Sequence, residues 1–145
     1  MALELSDLTR DILLDAIDTA IGTAGGLTIF SGAVPATCTT ANAGSKLVEI
    51  PLTNPAFQNS GGGVMLKSAS AWTQAAATLG GTVGHFRIYD NLTETVGGAG
   101  GSRCILQGTC GAGAEDLVLD NAVVATGQTV TIDTFTLTAG NDDGT

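Results

Sequence analysis

Apolar and polar positions alternate in two different periods along this chain. Through residue 22 the period is helical. Leu5, Leu8, Ile12, Leu13, Ala16, Ile17, Ala20 and Ile21 fall on one broad face, while Asp7, Asp11, Asp15 and Asp18 share the other. The pattern predicts an N-terminal amphipathic helix within residues 1–22. Ser6 is its N-cap, Asp7 sits near the positive end of the helix dipole, and Gly22 with Gly25-Gly26 ends it. An amphipathic helix in a small domain is expected to lay its apolar face on its own core, the alternative being a partner-binding arm. Leu14 lies off that stripe.

After Gly26 the apolar runs shorten and Gly, Asn or Asp bounds each one, the pattern of strands joined by turns. Strands are expected at Leu27–Phe30, Leu47–Leu52, Val64–Lys67, His85–Asp90, Arg103–Thr109, Asp116–Asp120 and Val130–Thr138. Pro51 places the end of the second at a sheet edge or exit. Phe57 is expected to plug the core, and Ser60–Gly63 reads as a hinge-like turn. Residues 69–78 are small and weakly patterned; their setting among strands favours an extended segment. Residues 36–46, rich in Thr, Ala, Asn, Gly and Ser, read as a mobile loop, as do the Gly97–Gly101 tip and the tail 139–145.

In His85–Tyr89, Phe86 and Ile88 point one way and His85, Arg87 and Tyr89 the other. In the last strand Val130 and Ile132 are out of phase with Phe135 and Leu137. That requires either a β-bulge near Asp133-Thr134 or cover on both faces. The whole predicts a mainly β fold, an antiparallel jelly-roll-like β-sandwich with one N-terminal helix, as a single domain over residues 1–145.

Composition narrows the function. With 14 acidic against five basic residues the net charge is −9, unsuited to a nucleic acid or an anionic membrane surface. No apolar run nears the roughly 20 residues of a membrane span, and residues 1–22 lack the pattern of a signal peptide. The three cysteines, Cys38, Cys104 and Cys110, are an odd count that argues against a secreted disulfide framework and for thiols in a reducing compartment. Six residues apart on one continuous strand, Cys104 and Cys110 would face the same side, too distant to bridge.

No catalytic, cofactor or metal site is expected. His85 is the one histidine and no nucleophile elbow accompanies it, so it reads as a surface or interface residue. One His and three scattered Cys do not make a zinc site. Gly44-Ser45-Lys46 lacks the upstream glycine of a P-loop, and Gly97–Gly101 is not a dinucleotide fingerprint. Asn141-Asp142-Asp143-Gly144 is half a calcium loop without its later Glu, and Asn91-Leu92-Thr93 is an isolated glycosylation sequon. Glu115, Asp116 and Asp120 read as solvated strand ends.

Several stretches do resemble a known group. They are Gly84–Asp90, Leu106–Thr109, Asp116–Asn121 and Gly127–Leu137, together with Leu13–Ile17, Leu27–Gly32 and Pro35-Ala36. Their succession is similar to small virion proteins of tailed phages and prophages, and is weakest between residues 58 and 80. The resemblance implies a non-enzymatic capsid decoration, or cement, protein. Such a protein would bind and stabilise the major capsid protein shell, act as a trimer, and sit on the capsid exterior after assembly in the host cytoplasm. On that reading the helix 4–22 or the loop 33–46 makes the capsid or intersubunit contacts. A tail, neck or fibre-adaptor component is the alternative in the same class. A carbohydrate-binding β-sandwich module is the alternative outside it, with Trp72 and Tyr89 as its stacking residues.

Overall fold

The computed structural model describes residues 4–92 and 102–140. The described residues are mainly β, with one helix packed beside the strands. The helix α1 spans Asp7–Ile21. Ser6 caps it, its hydroxyl accepting from the Thr9 N–H (3.3 Å), and Gly22 ends it at φ 67°, donating to the Asp18 carbonyl (3.1 Å).

The main sheet has five strands: β1 (Gly26–Phe30), β2 (Lys46–Pro51), β6 (His85–Tyr89), β7 (Cys104–Gly111) and β8 (Leu117–Val118). Their order is β2-β1-β6-β7-β8, which leaves β2 and its Pro51 at an edge as expected. Pairing is antiparallel except between β7 and β8, which are parallel and meet at Cys110–Leu117 and Gly111–Val118. The expectation of a wholly antiparallel fold is corrected there. The turn 112–116 carries the chain across the edge of β7, so β8 lies alongside β7 instead of returning against it.

Six shorter strands form three pairs: β3 (Val64–Leu66), β4 (Trp72–Gln74), β5 (Gly81–Thr82), β9 (Val123–Val124), β10 (Val130–Ile132) and β11 (Thr136–Thr138). β10 pairs with β4, β11 with β3 and β5 with β9. The segment 69–78 is thus extended in part, as the sequence pattern favoured. No helix among the described residues is long and apolar enough to cross a membrane.

The phase change in residues 130–138 resolves in a third way. The segment is not one bulged strand. It leaves β4 after Ile132 and joins β3 at Thr136. The break frees Phe135 to turn inward along with Val130 and Ile132. Phe135 then meets Phe86 edge-on (5.5 Å between ring centroids), with Phe57 and Trp72 each at 6.0 Å. Phe57 and Trp72 complete the group edge to face (5.3 Å). This aromatic cluster joins the strand pairs to the sheet face built from Leu27, Ile29, Val48, Ile50, Phe86 and Ile88.

Every residue of β1 and β6 is buried, because the second face of the sheet is covered too. The cover is the loop 31–45. Arg87 Nη2 donates to the carbonyls of Thr37 (3.1 Å) and Thr40 (2.9 Å), and Arg87 Nε to Gln107 Oε1 (3.1 Å). Gln107 Nε2 donates to the Pro35 carbonyl (2.7 Å) and the Tyr89 hydroxyl to Asn42 Oδ1 (3.1 Å). At the loop's ends Ser31 and Ser45 bond reciprocally: the Ser31 N–H to the Ser45 carbonyl (3.0 Å) and the Ser45 N–H to Ser31 Oγ (2.9 Å). Residues 36–46, expected as mobile, form a fastened lid with Lys46 already in β2. The lid is low in hydrophobicity, with Pro35 its one buried residue, and is held largely by polar side chains of the sheet.

The C-terminal expectation changes in part. The Ala139 N–H donates to the Gly63 carbonyl (2.9 Å) and the Ala139 carbonyl accepts from Arg10 Nη1 (3.2 Å), so the start of 139–145 is held. Residues 141–145 and the Gly97–Gly101 tip lie outside the described residues.

Candidate functional site

Of the apolar face expected to meet the core, Ile17 and Ile21 do so, but the first turns of the helix are docked the opposite way. Leu8, Ile12 and Leu13 are exposed at 70%, 59% and 51%, whereas Leu14 and Ile21 are its buried residues. The aspartate side of the helix faces the protein. Asp18 Oδ1 accepts from the backbone N–H groups of Ala56 (2.9 Å) and Phe57 (3.0 Å). Asp15 Oδ1 accepts from the Ser60 N–H (3.0 Å) and hydroxyl (2.7 Å), and Asp11 Oδ1 from the Gly63 N–H (2.7 Å). The Ser60 hydroxyl also reaches the Asp11 carbonyl (2.9 Å). The two bonds from Ser60 hold the Asp15 carboxyl below its usual value.

Three carboxylates one helical turn apart thus satisfy four backbone donors of segment 56–63. Those donors need partners because the segment makes only isolated bridges at Phe57 and Gly61. The Ser60–Gly63 turn is therefore clasped to the helix and is not a hinge. Arg10, ion-paired with Asp7, closes the end of this contact at Ala139. What remains outside is an apolar helix face, Leu8, Ile12, Leu13 and Ala16 along successive turns.

The residues weighed as chemistry are committed to structure. His85 is fully buried, stacked on Phe30 (5.0 Å, 11° between ring planes), with Nδ1 bonded to the Gly32 carbonyl (3.0 Å). Burial lowers its pKa, with Arg87 adding to the effect against the Gly32 bond. His85 is therefore a core histidine, and its expected place at a surface is corrected. The cause is the lid, which covers what would otherwise be the outer face of β6.

The acidic strand ends pin turns. Asp116 Oδ2 accepts from the Thr109 N–H (2.8 Å) and hydroxyl (2.9 Å), and Glu115 Oε2 from the Gly113 N–H (2.6 Å). Gly44-Ser45-Lys46 belongs to the lid's closure and to β2, where Lys46 pairs with Glu49 (2.5 Å). Trp72 is wholly buried and Tyr89 nearly so, which removes both from sugar stacking. A shallow groove bounded by Gln58, Lys67, Asp133 and Thr136 lies over Phe135, and its Lys67 ammonium is bonded to the Ser68 (2.9 Å) and Ser70 (2.7 Å) carbonyls. Among the described residues no three His, Cys, Asp or Glu side chains gather as a metal site. Asn141–Gly144 and Thr93 of the sequon fall outside those residues.

Cys110 is buried in the core, its pKa raised to about 12 by burial and by Glu115. Cys104 is half-buried and lies against Cys38 of the lid. The shared side expected for Cys104 and Cys110 is corrected by a register shift: Ile88 pairs with Leu106, but Tyr89 pairs with Cys104. The extra residue, Ile105, turns Cys104 to the lid face. The exposed helix face was missed as well; the signal available was Leu14, whose phase fits the buried row with Arg10, Asp11, Ile17, Asp18 and Ile21.

Comparison of the chain with protein-family models, with curated proteins and with solved structures finds no match.

Proposed function

We propose that the chain is a non-enzymatic virion structural protein of the tailed-phage kind, a capsid decoration protein that binds and stabilises the major capsid protein shell. The observation that carries this reading is the outward apolar face of α1, at Leu8, Ile12 and Leu13. An apolar helix face is costly in water, and here its polar side is already used within the protein. A partner that covers this face accounts for both facts. The loop 33–46 is spent on the sheet as lid and start of β2, so of the two segments expected to make contacts the helix is the one left free to do so.

On this reading the sheet and the strand pairs serve as a stiff, jelly-roll-like sandwich. Copies associate as trimers on the capsid exterior, and many modest contacts add up to firm attachment. The net charge of −9 favours a protein partner over nucleic acid or an anionic membrane.

The test is co-sedimentation with empty capsids of the cognate phage. Wild-type chain should pellet with the shells, and a Leu8→Gln, Ile12→Gln, Leu13→Gln variant should stay in the supernatant while remaining folded. Equal pelleting of the two would discard the helix as the contact. A wild-type chain that never pellets, and that is a monomer by light scattering at all concentrations, would discard the decoration role. Particle imaging that finds a few copies at a vertex or along the tail would move the chain to the neck or tail.

A further inference from the structure

Three features place two thiols together across the lid. Arg87, from the middle of the sheet, holds the Thr37 and Thr40 carbonyls on either side of Cys38. The register shift at Ile105 turns Cys104 out of the core and onto the face the lid covers. There Cys104 comes within interaction range of Cys38, both half-buried and unbridged. We infer that Cys38 and Cys104 are a disulfide-forming pair that fastens the lid 31–45 covalently to β7 when the chain meets a small-molecule disulfide. The inference does not depend on the capsid reading.

The chemistry is two exchanges. Cys38 as thiolate attacks one sulfur of the oxidant; a mixed disulfide forms and the oxidant's S–S bond breaks, releasing one small thiolate. Cys104 then attacks the Cys38 sulfur, the protein disulfide forms, and the second small thiolate leaves. The two cysteine protons end on the two released thiols, so the protein loses two electrons and the oxidant gains them. Burial raises the Cys104 pKa and makes the second exchange slow at neutral pH; the part of the rise that Cys38 causes in the reduced protein ends once Cys38 is in the mixed disulfide. Arg87 acts against that by favouring the thiolate. Closure should therefore quicken about tenfold per pH unit in the neutral range, following the thiolate fraction. Cys110, in the core and across the sheet from the lid, stays out of the reaction. A chain passing from a reducing compartment to an oxidising medium would so acquire a staple after folding.

The folded chain incubated with oxidised glutathione tests this by intact mass and by thiol titration in denaturant. Wild type should lose two hydrogens, carry no glutathione adduct, and fall from three thiols to one. Cys110→Ser should close in the same way and fall from two thiols to none. Cys38→Ser and Cys104→Ser should fail to close; adducts on the remaining thiol are compatible with that result. The oxidised wild type should melt several degrees higher than the reduced form and return to it with dithiothreitol. A wild type that stops at glutathione adducts, or that bridges Cys104 to Cys110, overturns the inference. Each cysteine-to-serine variant is checked for a wild-type melt under reducing conditions, so that failure to close is not failure to fold.

Discussion

Replacing Asp18 with alanine distinguishes the two ways in which α1 could be attached. Asp18 Oδ1 is the acceptor for both the Ala56 and Phe57 N–H groups, and both residues are 1% exposed. Hydrogen bonds to a charged group contribute about 1.5–3 kcal/mol each, and a buried donor left without a partner costs about 1–3 kcal/mol. Because Asp18 is itself only partly buried, water can reach one of the two donors, and the combined loss is roughly 2–5 kcal/mol. At about 2–4 °C per kcal/mol for a chain of this size, the melting temperature should drop by roughly 4–20 °C. Asp18→Asn keeps a carbonyl oxygen that can accept and gives up the charge, so it should recover about half of the loss. The contrasting set is Leu8→Gln, Ile12→Gln and Leu13→Gln, which should each change stability by no more than about 0.5 kcal/mol. Urea and thermal unfolding of the five variants under reducing conditions measure all of this. If the leucine and isoleucine variants lose about 2–5 kcal/mol while Asp18→Ala is neutral, the helix is docked by its apolar stripe and the inward-aspartate arrangement is wrong.

Three further outcomes test the lid. Because burial lowers the His85 pKa, the unfolded chain takes up a proton first as pH falls through about 6.5. Stability should therefore decline from pH 7 toward pH 5 and level off below the folded-state value; His85→Gln should flatten that slope in urea midpoints. Arg87→Met strands the Thr37 and Thr40 carbonyls and the Gln107 side-chain oxygen, so hydrogen exchange across 31–45 should accelerate and stability fall by about 2–4 kcal/mol. Gly84→Ala would set a methyl 2.0 Å from the Gly32 carbonyl oxygen, and the resulting displacement of the lid's first turn should appear as a lower melting temperature and faster exchange at Ser31 and Ser45. Tm unchanged in Gly84→Ala would mean the lid does not close as tightly as the structure has it.

The sequence by itself determined the local elements. Ser6 and Gly22 set the ends of α1 because capping is chemistry within one turn of the chain. The short turn-bounded stretches at 27–30 and 85–89, with apolar residues at alternate positions, located the two strands that became the buried middle of the sheet. Phe57 announced itself as a core residue by size and setting. Only the tertiary structure decided which faces of these elements are inside. The aspartates of α1 read as a solvent face because a lone carboxylate prefers water; a neighbouring segment with four unpartnered N–H groups reversed that preference. Residues 36–46 read as a free loop because they carry little apolar area of their own, yet Arg87 and Tyr89 reach across from the sheet to hold them. Which cysteine meets which followed from one extra residue in β7, since a shift of one position turns a side chain to the other face of a sheet. Each of these outcomes depends on a partner distant in the chain, and periodicity along the chain carries no record of that partner.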